Sequence, residues 1–528
     1  MRMLRSMVGR RLGALLLALA VGSTALVACG NSDQGVTARR SDGAVDTRPG
    51  DTTPTGPADT TAPEDTQPLN TDPANPLEPN DDTTPPLAPG EGIVDFGDAK
   101  TPRSYDNFLD AAFVDISNYW AENYELVYGQ PFEPVAGIYA HYPERGDLPE
   151  SCDGPISYSD VEMNAFYTTC GDIIVYDDSQ LLPQLVENLG DAAVGVVAAH
   201  EYAHAIQARA GVFDLNLATV ETEQQADCMA GAWAAHMARG ESDILAAFDD
   251  RDVKGGIIAM IEVRDPPGID VAVDPSGHGT AFDRVGAFQE GFINGLQRCA
   301  GFIDDPNPRI DLAFTTQEEL DSGGNLAYDE ILAALPVALD TFWLPTLESS
   351  AIAFTSPALQ PFTPDAGVPA CDDRSPEELV NDATYCAATN TIVYDDTFVR
   401  DLYQRLGDLS FGYPLALAYS DAVQVALQSA LSGEPRALLN DCLVGAWIID
   451  IVPSGEFDTD GRPIANNPNQ TILLSAGDLD EAVITAVALG DEARDTDAVG
   501  TAFEKIESFR AGVLGGLSAC QRRIDAGG

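Results

Sequence analysis

His200-Glu201-Tyr202-Ala203-His204 sets two imidazoles four positions apart, with a carboxylate beside the first. Glu223 follows nineteen residues after His204, and Asp227 four residues after that. On a helix, positions i and i+4 share a face, so both rings can aim at one point. Zinc accepts two histidines and one carboxylate and leaves its fourth position to water. His200, His204 and Glu223 are therefore the candidate ligands of one zinc ion. Glu201 is the candidate general base that takes a proton from water. Asp227, one helical turn past Glu223, is in reach of a ligand imidazole as the acceptor that orients it. The whole chain has five histidines, His141, His200, His204, His236 and His278, so two of the five falling at this spacing by chance is improbable.

The chain is written twice, and the second writing tests the first. Tyr105 to Trp120 has the spacing of Tyr328 to Trp343, and Ile174-Val175-Tyr176-Asp177-Asp178 returns as Ile392-Val393-Tyr394-Asp395-Asp396. Asp227-Cys228 with Gly231-Ala232-Trp233 returns as Asp441-Cys442 with Gly445-Ala446-Trp447, and Gly279-Thr280-Ala281-Phe282 as Gly500-Thr501-Ala502-Phe503. The spacing is near 220 residues, and the boundary falls near Thr315 to Asn325, where Gly323-Gly324 breaks the pattern. With Gly195 set on Gly412, His200 falls on Leu417, Glu201 on Ala418 and His204 on Asp421; counting back from Asp441, Glu223 falls on Ala437. Every proposed ligand and the base are missing together, so the second copy is expected to be metal-free, with one zinc per chain in the first. His278 meets Val499 and is lost with the site. It is a candidate catalytic residue that polarises the substrate carbonyl or steadies an oxyanion; the alternative is a loop histidine facing solvent. Asp227 persists as Asp441, which adds a structural role to the one proposed for it. Tyr202 persists as Tyr419, which favours packing. His236 becomes Asp450, which suits an exposed position, and His141 reads as structural.

The elements that must position these residues follow from pattern. Ala192 to Ala210 is apolar, Ala-rich and helical in period, and Gly211 ends it. Thr219 to Arg239 is a second helix carrying Glu223, Asp227 and an apolar Met229-Ala232-Trp233 face, and Ala281 to Gly295 is a third. Ile173 to Tyr176 and Ile138 to Tyr142 read as short strands. A strand edge beside the site would hold an extended peptide by main-chain bonds. The fold class is α+β and mostly helical.

Three segments resemble the bacterial neutral zinc metallopeptidase family within the gluzincin group. They are His200 to Gln207, the long run Glu223-Gln224-Gln225-Ala226-Asp227-Cys228-Met229-Ala230-Gly231-Ala232-Trp233, and Gly277-His278-Gly279-Thr280. The family usually has Gly where Ala203 stands and His where Ala205 stands, changes that leave the ligands intact. The resemblance spans roughly Ile138 to Cys299. It implies a zinc peptidase with His200, His204 and Glu223 as ligands and Glu201 as base, on a zincin-like domain that this chain carries in tandem.

The rest of the chain bounds where such a protein works. Arg2, Arg5, Arg10 and Arg11 precede an apolar run, Leu12 to Val27, that ends in Leu26-Val27-Ala28-Cys29-Gly30. This looks like a bacterial lipoprotein signal at residues 1–28 with cleavage before a lipidated Cys29; the alternative is an ordinary secretory signal with a chance cysteine. Residues 29–98 are dense in Pro, Thr, Asp and Gly and read as a disordered tether. The expected organisation is then a metallopeptidase-like domain at 99–318 and its degenerate repeat at 319–528, anchored to the membrane outside the cytoplasm. Beyond Cys29 there are eight cysteines. An even set behind a signal peptide points to disulfides, and the repeat favours Cys152–Cys170, Cys228–Cys299, Cys371–Cys386 and Cys442–Cys520, with free buried thiols as the alternative. A net charge of −56 with only three lysines excludes nucleic acid as a partner, since no basic patch can neutralise phosphates. The acidity reads as solubility or salt adaptation, or as a preference for cationic substrates. The partner expected is a protein or peptide substrate. The rival reading is a non-catalytic surface-binding or scaffold protein on a metallopeptidase fold.

Overall fold

The structure is a computed structural model. It describes residues 92–526 except 147, 153, 269–276, 311, 315, 373, 458–462 and 492–498. The expected signal segment, Cys29 and most of the tether lie outside the described residues.

The first half opens with strand β1 (Val94–Asp95), then helix α1 (Asp106–Tyr128) and strand β2 (Gly137–His141). Strands β3 (Ala165–Thr168) and β4 (Ile173–Asp177) follow, then helices α2 (Leu181–Leu189), α3 (Asp191–Ala210), α4 (Thr219–Ala238), α5 (Asp250–Glu262) and α6 (Ala281–Gly301). The sheet order is β1-β2-β4-β3. β1 and β4 flank β2 in parallel, and β3 closes the sheet antiparallel to β4, leaving β3 as an edge. β4 is buried along its whole length, as its β-branched run Ile173-Ile174-Val175 requires. Residues 93–95 belong to this folded half and not to the tether: β1 pairs with Ile138 and Tyr139, and the Ile93 and Val94 amides both donate to Asp110 Oδ1.

The second half runs through the same order. It comprises α7 (Tyr328–Ser349), β5 (Ala358–Phe362), β6 (Ala383–Cys386), β7 (Thr391–Asp395), α8 (Asp396–Arg405), α9 (Asp408–Ala426), α10 (Gly433–Ile451), α11 (Asp478–Leu489) and α12 (Ala502–Ala526). Its sheet is β5-β7-β6, with β5 parallel and β6 antiparallel to β7, matching β2-β4-β3. All four tryptophans are buried at paired places, Trp120 with Trp343 on the opening helices and Trp233 with Trp447 on α4 and α10.

Each half packs around one central helix, α3 or α9, which its neighbours cover on several sides. α3 is Ala-rich, which lets other helices approach it closely, and it is buried from Ala192 to Gln207. It stops at Gly211, whose φ of 73° is the left-handed conformation that glycine adopts without a Cβ penalty. Tyr202 packs without exposure and its hydroxyl meets Ser117 Oγ at 3.2 Å; Tyr419 does the same with Asp340 at 2.6 Å. α4 and α6 lie closer still. A Cβ on Gly231 would run into the Phe288 carbonyl oxygen, and one on Gly291 into that of Cys228. Cys228–Cys299 ties the same pair of helices, and Cys442–Cys520 ties α10 to α12. Cys152–Cys170 and Cys371–Cys386 are paired at the ends of the two sheets. α6 does not end at Gly295 as the pattern predicts. Gly295 leaves helical geometry at φ 70°, ψ −173°, and the chain resumes as helix to Gly301; Gly516 in α12 does likewise at φ 57°, ψ −158°.

Candidate metal centre

α3 carries His200, Glu201 and His204 on the side that meets the first turns of α4, where Glu223 and Asp227 stand. The structure brings three candidate ligand atoms together. His200 Nε2 lies 3.2 Å from Glu223 Oε2, His204 Nε2 lies 3.4 Å from Glu223 Oε1, and the two Nε2 atoms are 3.2 Å apart. Donors about 2.05 Å from a tetrahedral zinc stand about 3.3 Å from one another. The residues present therefore fit a zinc ion in both chemistry and spacing. The opposite nitrogens each face an acceptor. His200 Nδ1 lies 2.8 Å from Asp227 Oδ1, and His204 Nδ1 lies 2.8 Å from Gln207 Oε1. An acceptor on each Nδ1 keeps the proton there and leaves the Nε2 lone pair for the metal.

The supporting groups are buried and mutually satisfied. Asp227 accepts from both arms of the Arg284 guanidinium, Nε at 3.0 Å and Nη2 at 2.8 Å, and Arg284 Nη1 donates to Val263 O. Gln207 Nε2 donates to Thr222 O at 2.6 Å and to Gln225 Oε1 at 3.0 Å, so it joins α3 to α4 while its oxygen holds His204. Sequence reasoning assigned no role to Gln207 or Arg284. Gln207 is three residues past His204 on one helix face, which is the available signal for it. Arg284 is matched by Lys505 at the same distance from the Gly-Thr-Ala-Phe segment, in a chain with only three lysines.

Glu201 faces the same small cavity as His200, Glu223, His278 and Arg284. Its Oε2 accepts the Tyr167 amide of edge strand β3 at 3.1 Å. Burial pushes its carboxyl up to about 7, against His200 and with the help of the Glu223 charge. Glu223 moves the other way: burial would raise it, but His204 and His200 hold it well below the usual carboxylate range. His278 lines the cavity and is 7% exposed, so it is not a solvent-facing loop residue. Asp265 orients it, Oδ1 lying 3.2 Å from its Nδ1 while Oδ2 accepts the His278 and Gly279 amides. The His278 imidazole is shifted upward, because Asp265 and Glu223 outweigh the effect of burial. The residues of the centre are nearly closed off from solvent, His200, Glu201 and His204 at 5% exposure each and Glu223 at 2%.

The other histidines stand apart from this centre. His141 is buried in β2, its Nδ1 accepting the Tyr142 amide. His236 is not exposed as its replacement by Asp450 suggests. It lies 3.7 Å from Asp115 and 3.3 Å from Glu241, with its ring against Tyr119. In the second half, Leu417, Asp421 and Ala437 occupy the places aligned with the ligands, and Asp421 pairs with Arg436 at 2.6 Å. A different group there, Asp408, Asp478 and Glu481, brings three carboxylates together at the starts of α9 and α11. Each accepts a backbone amide, from Leu326, Ser475 and Leu409 respectively.

No curated protein and no solved structure matches the chain. The segment that carries His200, Glu201, His204, Glu223, Asp227 and His278 has a counterpart among known families: residues 150–302 match the model of the family described as Putative neutral zinc metallopeptidase.

Proposed function

We propose that this protein is a zinc-dependent endopeptidase whose chemistry lies in residues 99–318, with 319–528 a degenerate, metal-free repeat of the same domain. We further propose that lipidated Cys29 and the tether behind it hold the enzyme at the membrane, outside the cytoplasm. The observation that carries the peptidase reading is the convergence of His200, His204 and Glu223 at 3.2–3.4 Å, with Glu201 facing the same cavity. A zinc ion held there would supply Lewis acidity to a carbonyl oxygen and acidify water. Glu201, fixed through one oxygen by the Tyr167 amide, takes the proton of the attacking water and returns it to the leaving amine. His278, turned by Asp265, donates toward the oxygen on which charge develops. The edge β3 lies beside Glu201, so a peptide added along it would gain main-chain bonds, which supports an extended peptide and internal cleavage. The repeat reading rests on the recurring element order, sheet topology and disulfide positions.

The near closure of the site favours a second reading, a surface-binding protein that retains zinc as a structural ion. Two variants separate the readings. Zinc measured by elemental analysis is expected at one per chain in the wild type, absent in His204→Ala and present in Glu201→Gln. Peptide cleavage is expected to fall by about 10²-fold or more in Glu201→Gln. Zinc-free wild type that is folded and has never met a chelator would remove the hydrolase, and a Glu201→Gln protein with full biological function would leave the binder.

A further inference from the structure

The two halves meet through α5 and α6 on one side and α11 and α12 on the other, and their contacts come in exchanged pairs. Setting Gly279 on Gly500 pairs Phe282 with Phe503 and Gln289 with Arg510. Gln289 Nε2 donates to Phe503 O at 2.9 Å, and Arg510 Nη1 donates to Phe282 O. The loops ahead of α6 and α12 also correspond. The Asp265 amide donates to Gly279 O at 3.1 Å and the Asp491 amide to Gly500 O at 2.9 Å. Asp491 Oδ2 accepts the Val499 amide as Asp265 Oδ2 accepts that of His278. Setting Asp265 on Asp491 pairs Lys254 with Asp480 and Arg264 with Gly490. Lys254 Nζ reaches Gly490 O at 3.4 Å, and Asp480 Oδ2 reaches Arg264 Nε at 3.2 Å. When i touches j and the equivalent of j touches the equivalent of i, the interface is isologous, as in a two-fold dimer.

The pairs are equivalent in place and unequal in chemistry. Asp480 accepts the Phe282 amide through Oδ1 at 3.2 Å, in the first turn of α6, and pairs through Oδ2 with Arg264, the neighbour of Asp265. One carboxylate of the second half thus ties down both segments that hold His278. Its counterpart Lys254 reaches a carbonyl beside a loop where Val499 stands in place of His278. An acid at the start of α6 also complements the helix dipole.

We infer that the second half is the fused, non-catalytic partner of a quasi-two-fold dimer, and that Asp480 is a positioning residue for His278. The role in catalysis rests on the peptidase reading; the positioning itself does not. The test uses the full chain with Asp480→Ala, Asp480→Asn and Lys254→Ala. Hydrogen exchange of residues 277–283 is expected to quicken roughly tenfold in Asp480→Ala and less in Asp480→Asn, which keeps an acceptor for Phe282 N. Lys254→Ala is expected to leave 277–283 unchanged and quicken 499–504. In peptide cleavage, Asp480→Ala is expected to lower kcat roughly tenfold with KM and zinc content held, and to add nothing in a His278→Ala background. Should Asp480→Ala not fold, the smaller change in Asp480→Asn carries the same test. Unchanged exchange at 277–283, or a kcat loss of the same size with and without His278, overturns the positioning role. If the wild type shows neither zinc nor cleavage, the exchange arm still decides it.

Discussion

Asp227 serves two donors at once. It faces His200 Nδ1 at 2.8 Å and receives Arg284 on both oxygens. In the second half the same buried aspartate, Asp441, receives Lys505 at 2.9 Å and the Tyr413 hydroxyl at 2.6 Å. The acid and its cation are thus shared architecture, and the imidazole is what the first half adds. Gln207 returns as Gln424, whose Nε2 likewise donates across to the next helix, to Arg436 O at 2.8 Å and Asn440 Oδ1 at 2.6 Å, but the Gln207 oxygen serves His204 alone among the candidate ligands. Asp227→Asn is expected to weaken zinc binding about 10- to 100-fold and also to destabilise the metal-free protein by up to about 3–5 kcal/mol, because the buried Arg284 loses the nearer of its two carboxylates and keeps only Glu223 at 3.9 Å. Gln207→Met is expected to match the zinc defect with a smaller loss of stability. Chelator competition and denaturant unfolding of the metal-free variants check both; an Asp227→Asn protein that unfolds at the wild-type midpoint would show that the ion pair carries no stability.

At the scale of elements, the site depends on how close α4 can come to α6. Glu223 and Asp227 ride on α4 and Arg284 on α6, and the two glycines between them set the spacing. Gly231→Ala forces the helices apart against the Cys228–Cys299 bond, so it is expected to cost about 1–3 kcal/mol and to lower zinc content with it. Gly301→Ala, whose Cβ meets nothing within 4 Å, is the control and is expected to be neutral or slightly stabilising. Thermal unfolding of the two variants compares them directly, and equal midpoints would remove close approach as the reason for Gly231. The helix carrying the histidines was legible from its period and from Gly211, to within one residue at its start. The continuation of α6 past Gly295 was not, because a glycine there reads as a stop unless the following turn is known to pack.

The whole molecule is acidic to its interior. Asp408, Asp478 and Glu481 are buried together without a cation among the partners described for them. Burial pushes Asp408 up to about 6; Asp478 and Glu481 rise further, through burial and then through the charges of their neighbours. A carboxyl whose folded pKa exceeds its unfolded value keeps its proton longer in the folded state. The stability it contributes is present below the ordinary carboxylate range, near ~4, and is lost as pH rises through the folded value. Unfolding temperature is therefore expected to fall between pH 5 and pH 8, and Asp478→Asn, which needs no proton, is expected to flatten that fall. A pH dependence unchanged by Asp478→Asn would place its origin elsewhere.

The sequence by itself determined what is local or repeated. His200, Glu201 and His204 share a helix face because 3.6 residues make a turn, and the paired cysteines and tryptophans announce two similar halves before any packing is known. Tertiary structure alone decided which groups complete the site. Arg284 meets Asp227 across 57 residues, Tyr167 meets Glu201 across 34, and Asp480 meets Phe282 across 198. No periodicity encodes such contacts, since they exist only after helices from distant segments pack. His236 shows the converse: its replacement by Asp450 suggests an open surface, yet Asp115 and Tyr119 enclose the histidine, and Asn467 and Gln470 bond the aspartate. Exchange between two polar residues marks a place with polar partners as readily as one with water, and only the folded chain shows which.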